Sequence, residues 1–282
     1  MITISQALSF LAYFFHLHQF ALPAKEAEYL LCDLFSYSRA ELYQNFSCFL
    51  TRDQWKKCLS WLRQRLKGVP LEYLCGKVEF YGTIIEVDNR VLIPRPETEI
   101  LVDKVVQFLK GEPLEKRLLW DLCCGSGCIA IALKKIFPQL QLLASDLSKD
   151  ALEVAKKNCH KNSVEVALYQ GDLLAAGQGQ KVHYLICNPP YIPFAEYQMV
   201  GQEVTAYEPH EALFAGNNGL EFYQRLAAQL PLHLFRGGRV WLEMGYNQGK
   251  AITQLFDNTL WQDQKVEKDW AGHDRFFYCQ LK

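Results

Sequence analysis

The stretch LLWDLCCGSGCIAIALKK, residues 118–135, predicts a buried strand, a glycine-rich turn and a helix in succession. Gly125 and Gly127 open backbone conformations that other residues avoid, and they let the chain pass close to a ligand. The helix that is predicted to begin near Cys128 points its free amide groups at the turn. In a doubly wound sheet, such a turn at the carboxyl end of a strand forms the usual ligand crevice. By itself, the G-x-G pattern is also compatible with a simple tight turn.

Acidic residues follow the next two predicted strands. Asp146 follows the strand 140–145 and lies about 20 residues past Gly127, where an acceptor suits ribose hydroxyl groups. Asp172 follows the strand 164–169, and its carboxylate or the adjacent backbone could meet an adenine amino group. Taken alone, Asp172 is explained better as a helix cap or a turn residue. A dinucleotide cofactor stays open at this point, because Ala130 occupies the position of the third fingerprint glycine.

The fourth predicted strand, 182–187, runs into the corner Asn188-Pro189-Pro190-Tyr191. The two prolines remove backbone donors and stiffen the chain, so the corner is rich in hydrogen-bond acceptors. Asn188 adds a side-chain carbonyl and an amide, and Tyr191 offers a flat face for stacking. The corner therefore fits the NH₂ group of a carboxamide or of an adenine or cytosine base.

The pattern of the whole chain predicts an α/β fold preceded by a helical domain. From about residue 95, strands alternate with helices, which indicates a doubly wound, mostly parallel sheet. We predict a helical domain over 1–70, a β-hairpin linker over 71–93 and the main domain over 94–282. In the helical part, Ser38 and the Thr51–Gln54 capping box mark helix starts. Further predicted strands are 118–122, 239–243 and two antiparallel strands in the tail; predicted helices are 97–109, 128–137, 149–158, 220–232 and 248–256.

Composition and charge argue against several classes of protein. Half of the 282 residues are hydrophobic and 22% are charged, which is ordinary for a protein with a large core. The net charge of −1 weakens an interpretation as a nucleic-acid-binding protein. The ten cysteines lack zinc-type spacing, and we interpret them as reduced core residues. Without a run of about 18 apolar residues or a basic presequence, we expect no membrane span and a cytoplasmic location.

Several stretches resemble a single enzyme family. The glycine-rich turn and the NPPY corner resemble the class I methyltransferases that use S-adenosyl-L-methionine. Five further stretches are similar to the HemK/PrmC family, the protein-(glutamine-N5) methyltransferases of class I peptide chain release factors: GVPLEYLCGKVEFYG (68–82), RVLIPRPETEILVD (90–103), YEPHEALFAGNNGLEFY (207–223), GGRVWLEMGYNQG (237–249) and DWAGHDR (269–275). The resemblance implies a Rossmann-like class I methyltransferase fold with an antiparallel last strand. It also implies a release factor as protein substrate, with the enzyme as a monomer.

The resemblance also implies roles for individual residues. Asn188, Pro189 and Tyr191 would be catalytic, and together with Pro190 they would bind the substrate. No metal ion is implied. The residues implied to bind the cofactor are Asp121, Cys123, Cys124, Gly125, Ser126, Gly127, Asp146, Asp172, Leu173, Asn188 and Thr98.

Four acidic or polar positions, Asp121, Thr98, Glu97 and Glu243, could serve either the site or the fold. Asp121 would hold the methionine amino group, directly or through water, or would accept hydrogen bonds from the turn. Thr98 and Glu97 are candidates for the rim of the site, although the run around them also makes a good helix start. For Glu243, a buried structural hydrogen bond is the expected role.

Two positions depart from the family pattern. The family usually has a glycine where Cys123 stands, and we expect the backbone there to be still extended, so that a small cysteine fits. Some relatives have an aromatic residue at the position of Leu173, so we expect aliphatic packing against the adenine here.

Three other functions compete with glutamine methylation of release factors. An adenine-N6 DNA methyltransferase would use the same corner, but it must flip a base and neutralise phosphates, and no dense basic block is present. A glutamine methyltransferase acting on a ribosomal protein would differ mainly in the helical domain. A catalytically silent module that binds a nucleoside or a protein is the third alternative, against which the intact corner argues.

Overall fold

The computed structural model describes residues 2–177, 179–216 and 218–282, which form two compact units. The smaller unit contains the residues up to Gly76 together with Gln202–Tyr207, and the larger contains Lys77–Gly201 and Glu208–Lys282. The helices in chain order are α1 (Ile4–Leu17), α2 (Pro23–Phe35), α3 (Arg39–Gln44), α4 (Arg52–Arg65), α5 (Leu71–Cys75), α6 (Pro96–Leu109), α7 (Cys128–Ile136), α8 (Lys149–Lys161), α9 (Gln202–Tyr207), α10 (Glu221–His233) and α11 (Gly249–Leu255). The strands are β1 (Lys77–Phe80), β2 (Thr83–Glu86), β3 (Leu118–Leu122), β4 (Gln141–Asp146), β5 (Ala167–Gln170), β6 (Val182–Cys187), β7 (Leu234–Glu243), β8 (Trp261–Lys268) and β9 (Asp274–Leu281).

The smaller unit is helical and has a hydrophobic core of its own. Ile4, Leu11 and Phe15, spaced by three to four residues or multiples of that spacing, are fully buried along one face of α1. They pack in one cluster with residues of α2, α3 and α4. Arg65 is also buried in this unit, where Glu26 and Glu203 pair with it at 2.7 and 2.8 Å. A buried cation needs such partners, because an unpaired charge out of water is costly.

Both helix starts predicted in the smaller unit are confirmed. Ser38 caps α3 and Thr51 caps α4, each in a capping box with the residue three positions later. At α4 the Thr51 hydroxyl accepts from the Gln54 backbone N–H at 3.2 Å, and the Gln54 side chain accepts from the Thr51 N–H at 2.8 Å. The short helix α5 was not predicted, because it lies at the start of the stretch 71–93 that was predicted as the hairpin linker.

The larger unit begins with the predicted β-hairpin. β1 and β2 pair antiparallel through a two-residue turn, Tyr81-Gly82, in which both residues have positive φ. This is the turn geometry that matches the twist of a hairpin. Asn158 on α8 exchanges hydrogen bonds with both backbone groups of Glu86, at 2.7 and 2.9 Å, and so holds the hairpin against the sheet domain.

The main sheet confirms the predicted doubly wound class. Its seven strands follow the order β5-β4-β3-β6-β7-β9-β8. The first five strands in this order pair in parallel, and β9 runs antiparallel to both of its neighbours, β7 and β8. At the end of β3, Leu122 lies opposite Ser145 of β4 and Cys187 of β6. The carboxyl ends of three strands therefore meet at one edge, which is where α/β folds of this type bind ligands.

Two strand boundaries differ from the sequence prediction for local reasons. β5 begins at Ala167 rather than at residue 164, because the Val164 N–H still closes the end of α8 by bonding to the Cys159 carbonyl at 3.1 Å. β7 begins at Leu234 rather than at residue 239, and it continues through Gly237, whose φ of 78° favours glycine. In the part of the chain that the structure describes, every helix is too short or too polar to cross a bilayer.

Candidate active site

A cavity of about 340 Å³ opens at the carboxyl ends of β3, β4 and β6. Its lining comes entirely from the larger unit. Seven of the predicted site residues line it: Cys123, Gly125, Asp146, Asp172, Leu173, Asn188 and Pro190. The other predicted residues lie outside the lining: Asp121, Cys124, Ser126, Gly127, Thr98, Pro189 and Tyr191.

A second, larger groove of about 610 Å³ lies elsewhere on the same unit, beside α6 and β9. Lys104 and Glu267, both lining residues, form an ion pair there at 2.6 Å, and Trp241 and Phe276 form part of its wall. It lies away from the strand ends where this fold class places ligands. We therefore assign the active site to the smaller cavity.

The glycine-rich turn needs its two glycines for different reasons. Gly125 has a φ of 51°, and a Cβ added there would meet no atom within 4 Å, so its backbone faces open space at the cavity. Gly127 has a φ of 78°, and a Cβ there would approach the Ala155 Cβ to 3.2 Å. The first glycine allows a ligand to come close to the backbone, and the second allows α7 to pack against α8.

The expectation of an extended backbone at Cys123 is wrong. Its φ is 59°, in the left-handed region that favours glycine. The chain changes direction sharply directly after β3, and a glycine would adopt this conformation more easily than a cysteine does. The conformation also turns the Cys123 side chain toward the core cluster that contains Cys187, on the same face of the sheet as Leu122.

Asp146 holds the glycine-rich turn by hydrogen bonds and also lines the cavity. One carboxylate oxygen accepts from the Gly125 N–H at 2.8 Å and the other from the Ser148 N–H at 2.9 Å. Burial raises the pKa of this carboxyl above its ordinary value. Since each carboxylate oxygen can accept two hydrogen bonds, the Asp146 carboxylate keeps acceptor capacity for a hydroxyl group of a ligand in the cavity.

Asp172 and Leu173 lie together at the far wall of the cavity. The exposed Asp172 carboxylate pairs with Arg225 at 2.6 Å, and its backbone carbonyl accepts from the Ala175 N–H at 3.2 Å. Leu173 is buried and has a φ of 49°. Its aliphatic side chain contributes an apolar wall, as expected from the sequence.

Asp121 is fully buried beneath the turn rather than in the cavity wall. One of its oxygens accepts from the Ala130 N–H in the first turn of α7 at 3.0 Å. Within the described residues, the other oxygen has no hydrogen-bond partner. Burial raises the pKa of Asp121 to about 8. The hydrogen bond to Ala130 matches the interpretation of Asp121 as an acceptor for amides near the turn.

The Asn-Pro-Pro-Tyr corner is held by bonds to neighbouring segments. The Gln248 amide donates to the Tyr191 carbonyl at 2.9 Å and to the Gly219 carbonyl at 3.2 Å. Across residues 2–177, 179–216 and 218–282, no hydrogen bond is made to the Asn188 side-chain oxygen or to the Pro189 carbonyl. Within this described part of the chain, the corner therefore holds two carbonyl oxygens without a hydrogen-bond partner, one on the Asn188 side chain that lines the cavity and one on the buried Pro189.

Behind the corner, three side chains form a hydrogen-bonded chain. The Asn188 Nδ2 donates to the Thr98 hydroxyl at 3.2 Å, and that hydroxyl donates to Glu243 Oε2 at 2.7 Å. The Tyr191 hydroxyl reaches Glu243 Oε1 at 3.4 Å. Burial raises the pKa of Glu243 to about 7. Thr98 is thus placed behind Asn188 and not at the rim of the site, and Glu243 makes the buried hydrogen bond expected of it.

Several lining residues were missed by the sequence analysis. Arg90, Glu211 and Phe222 reach the cavity from segments far apart in the chain. Arg90 forms an ion pair with Asp88 at 2.6 Å. The sequence signal that could have placed Arg90 at the cavity is its position in the family-like stretch 90–103. Arg95, which lies in the same stretch, pairs with the buried Glu208.

Comparisons with known proteins agree on the family. Residues 6–76 match the family model described as PrmC N-terminal domain, and residues 97–208 match the one described as Methyltransferase small domain. A release factor glutamine methyltransferase of Chlamydia trachomatis serovar D is 39% identical over 92% of this chain and 87% of its own length. Its namesake from Enterococcus faecalis is 40% identical over 76% of each chain.

Solved structures of lower identity share the fold. A methyltransferase from Pyrococcus furiosus superposes with a TM-score of 0.51 at 19% identity, over 71% of this chain and 89% of its own. The hMettl16 catalytic domain in complex with MAT2A 3′UTR hairpin 1 gives a TM-score of 0.56 at 17% identity, over 90% of each chain. At these identities the likeness concerns the fold alone.

The sheet order, the glycine-rich turn and the cavity at the strand ends define a class I methyltransferase, a class whose cofactor is S-adenosyl-L-methionine. The relatives narrow this class further, because their similarity extends over both units and nearly the full length. The chain belongs to the release factor glutamine methyltransferase family.

Proposed function

We propose that the protein transfers a methyl group from S-adenosyl-L-methionine to the side-chain amide nitrogen (N5) of the glutamine in the Gly-Gly-Gln motif of class I peptide chain release factors. The observation that carries this proposal is the pair of unengaged carbonyl oxygens in the corner, one on Asn188, which lines the cavity, and one on Pro189, the next residue in the chain. They match the two N–H groups of one primary amide. The substrate class follows from the relatives, which bear the name release factor glutamine methyltransferase.

The residues of the cavity fit the cofactor. Asp146 would accept from the ribose hydroxyls, and Leu173 would pack against the adenine, whose amino group would meet Asp172 or its backbone. The turn Cys123 to Gly127, with Cys124 and Ser126 shaping it from behind, would hold the methionine end together with Asn188. The buried unpaired oxygen of Asp121 suits a cationic amino group approached through water or through the turn. When bound, S-adenosyl-L-methionine supplies a methyl group on a positively charged sulfur, which is electrophilic without further activation.

The main task of the protein is to orient a poor nucleophile. The nitrogen of a carboxamide shares its lone pair with the carbonyl group, so it attacks weakly. Asn188 Oδ1 and the Pro189 carbonyl would each accept one N–H of the substrate glutamine. This holds the amide plane fixed and presents its nitrogen face to the cavity, and such positioning removes much of the entropic barrier. Tyr191 would pack beside the amide, with its backbone held by Gln248.

The same two oxygens stabilise the transition state. The new N–C bond would form as the S–C bond to the methyl group breaks, so that S-adenosyl-L-homocysteine would leave as a neutral thioether. Positive charge then develops on the nitrogen, and both hydrogen bonds from its N–H groups become stronger. An interaction that strengthens in the transition state accelerates the reaction. The methylated nitrogen then loses one proton to water. Because that proton is acidic only after transfer, no general base has to act beforehand.

The smaller unit would recognise the protein substrate. It has its own core, and it matches a family model of its own, which supports a domain with a separate task. We propose that the helical part over residues 1–70 binds the release factor, that residues 71–93 link it to the catalytic domain over 94–282, and that the enzyme works as a monomer. A release factor substrate would place the reaction in the cytoplasm.

The experiment that tests the proposed function is mass spectrometry of a purified release factor after incubation with this protein and S-adenosyl-L-methionine. We expect one added methyl group, located on the glutamine of Gly-Gly-Gln. Plasmid DNA and a glutamine-bearing ribosomal protein are tested in parallel as competing substrates. Methyl transfer to either of these, with the release factor left unmodified, would contradict the proposal.

A further inference from the structure

The Thr98 hydroxyl lies between the proposed catalytic amide and a buried carboxylate. Thr98 is 3% exposed and Glu243 is 1% exposed, and neither lines the cavity. The three side chains come from α6, from β7 and from the corner after β6, all within the larger unit. The two hydrogen bonds of 3.2 and 2.7 Å form a continuous path from Asn188 to Glu243.

This path has a defined polarity. An ionised carboxylate can only accept hydrogen bonds, so Thr98 must donate its single hydroxyl proton to Glu243. The Thr98 oxygen can then only accept from Asn188, which requires the NH₂ group of Asn188 to face Thr98. The Asn188 carbonyl oxygen is left on the opposite side, where it is unengaged and available to a substrate amide.

We propose that Thr98 and Glu243 are positioning residues that fix the amide orientation of Asn188, so that its oxygen, and not its nitrogen, meets the substrate glutamine. This inference rests on the proposed function, in which Asn188 accepts from the substrate. The side-chain amide of asparagine is nearly symmetric in shape, so packing alone discriminates poorly between its two orientations. If the amide turned over, its NH₂ group would face the N–H groups of the substrate, and the acceptor would be lost.

Protonation of Glu243 would relax this control. A neutral carboxyl can donate to Thr98, whose hydroxyl could then donate to Asn188 and stabilise the reversed amide. The pKa of Glu243 is raised to about 7, chiefly by burial. The Thr98 and Tyr191 hydrogen bonds and Arg275 lower it, whereas Glu97 raises it. Two further titratable side chains interact with the Glu243 carboxylate through weaker electrostatic interactions. They are Tyr223 on α10 and Cys128 on α7. The reaction rate should therefore fall as the pH drops through about 7.

Threonine variants test the path directly. Thr98→Val keeps the shape of the side chain and removes the hydroxyl, and we expect kcat to fall roughly ten- to hundredfold, with the affinity for S-adenosyl-L-methionine unchanged. Thr98→Ser restores the hydroxyl and should return kcat close to the wild-type value. Thr83→Val serves as the matched control, because Thr83 is also a buried threonine of the larger unit and lies on the hairpin strand β2. It should leave kcat unchanged.

The pH profile tests the polarity of the path. In Glu243→Gln the side chain can both donate and accept, so both orientations of Asn188 are allowed. We expect a lower kcat that no longer changes around pH 7, in contrast to the rising limb of the wild-type enzyme. Thermal unfolding of each variant separates misfolding from misorientation. Should Thr98→Val fail to fold, Thr98→Ser and the profile of Glu243→Gln still decide the question.

The outcomes distinguish this inference from the proposed function. If the wild-type protein does not methylate the release factor, the proposed function fails. If the wild-type protein is active, while folded Thr98→Val keeps full kcat or Glu243→Gln keeps the pH-dependent limb, the positioning role is refuted and the proposed function stands.

Discussion

Cys123 adopts a left-handed backbone conformation that favours glycine. Its φ of 59° costs an L-residue about 1–2 kcal/mol relative to the right-handed region. We expect Cys123→Gly to change the free energy of unfolding by less than about 1 kcal/mol, since relief of strain offsets the greater freedom of the unfolded glycine. Cys123→Val should destabilise by about 2 kcal/mol or more, because a branched side chain fits this conformation poorly. Urea denaturation measures both, and equal effects of the two variants would contradict the strain.

Asp146 should determine the affinity for the cofactor. In Asp146→Ala the charge-assisted hydrogen bonds proposed to the ribose would be lost, and the Gly125 N–H would lose its acceptor. Bonds of this kind contribute about 1.5–3 kcal/mol, so we expect the dissociation constant of S-adenosyl-L-methionine to rise roughly ten- to hundredfold. Isothermal titration calorimetry measures the constant. An unchanged affinity in a folded variant would remove Asp146 from the cofactor site.

At this scale, sequence reasoning could find residues that follow a strand but not those that reach the cavity from elsewhere. Asp146 and Asn188 were predicted to lie in one crevice because parallel strands end at the same edge, and both line the cavity. Phe222 comes from α10 and shows no local signal that could place it there. The positive φ at Cys123 was also not predicted, because a positive φ is expected from a glycine or an asparagine and not from a cysteine.

At the scale of elements, periodicity and capping predicted most helices and strands correctly. The capping boxes of α3 and α4 and the hairpin turn at Tyr81-Gly82 depend on neighbours in sequence, so the sequence contains the necessary information. The start of β7 depends on its partner β6, whose register shifts between Val182 and Tyr184, and no local pattern reveals that shift.

Gly219, just before α10, lies against the Asn-Pro-Pro-Tyr corner. A Cβ at this position would lie 2.2 Å from the Tyr191 carbonyl oxygen and 2.6 Å from Gln248 Nε2, and its φ is +72°. Gly219→Ala should therefore displace Tyr191 and its neighbours, and we expect kcat to fall roughly tenfold or more. Steady-state methylation assays measure this effect. Gly201→Ala is the control, because a Cβ there meets no atom within 4 Å; equal losses in both variants would contradict the role of the corner.

At the scale of the whole molecule, the proposed function places the methyl transfer in the larger unit and recognition of the protein substrate in the smaller one. The cavity and the Asn-Pro-Pro-Tyr corner belong to the larger unit alone, whereas the helical unit buries its own core around α1, α2 and α4. The sequence predicted this organisation from a change of period, from helical spacing to alternating strands and helices. The surface by which the helical unit would bind a protein could not be predicted, because surface shape depends on tertiary packing.

The central claim is that Asn188 and Pro189 orient the substrate amide, and Asn188→Ala tests it most directly. The measurement pairs the single-turnover rate of methylation of an intact release factor with the dissociation constant of S-adenosyl-L-methionine in the same variant. We expect the rate to fall by about 100-fold or more, as for loss of a preorganised transition-state contact, while the dissociation constant changes little. A rate close to that of the wild-type enzyme, or a loss of cofactor affinity as large as the loss of rate, would contradict the account.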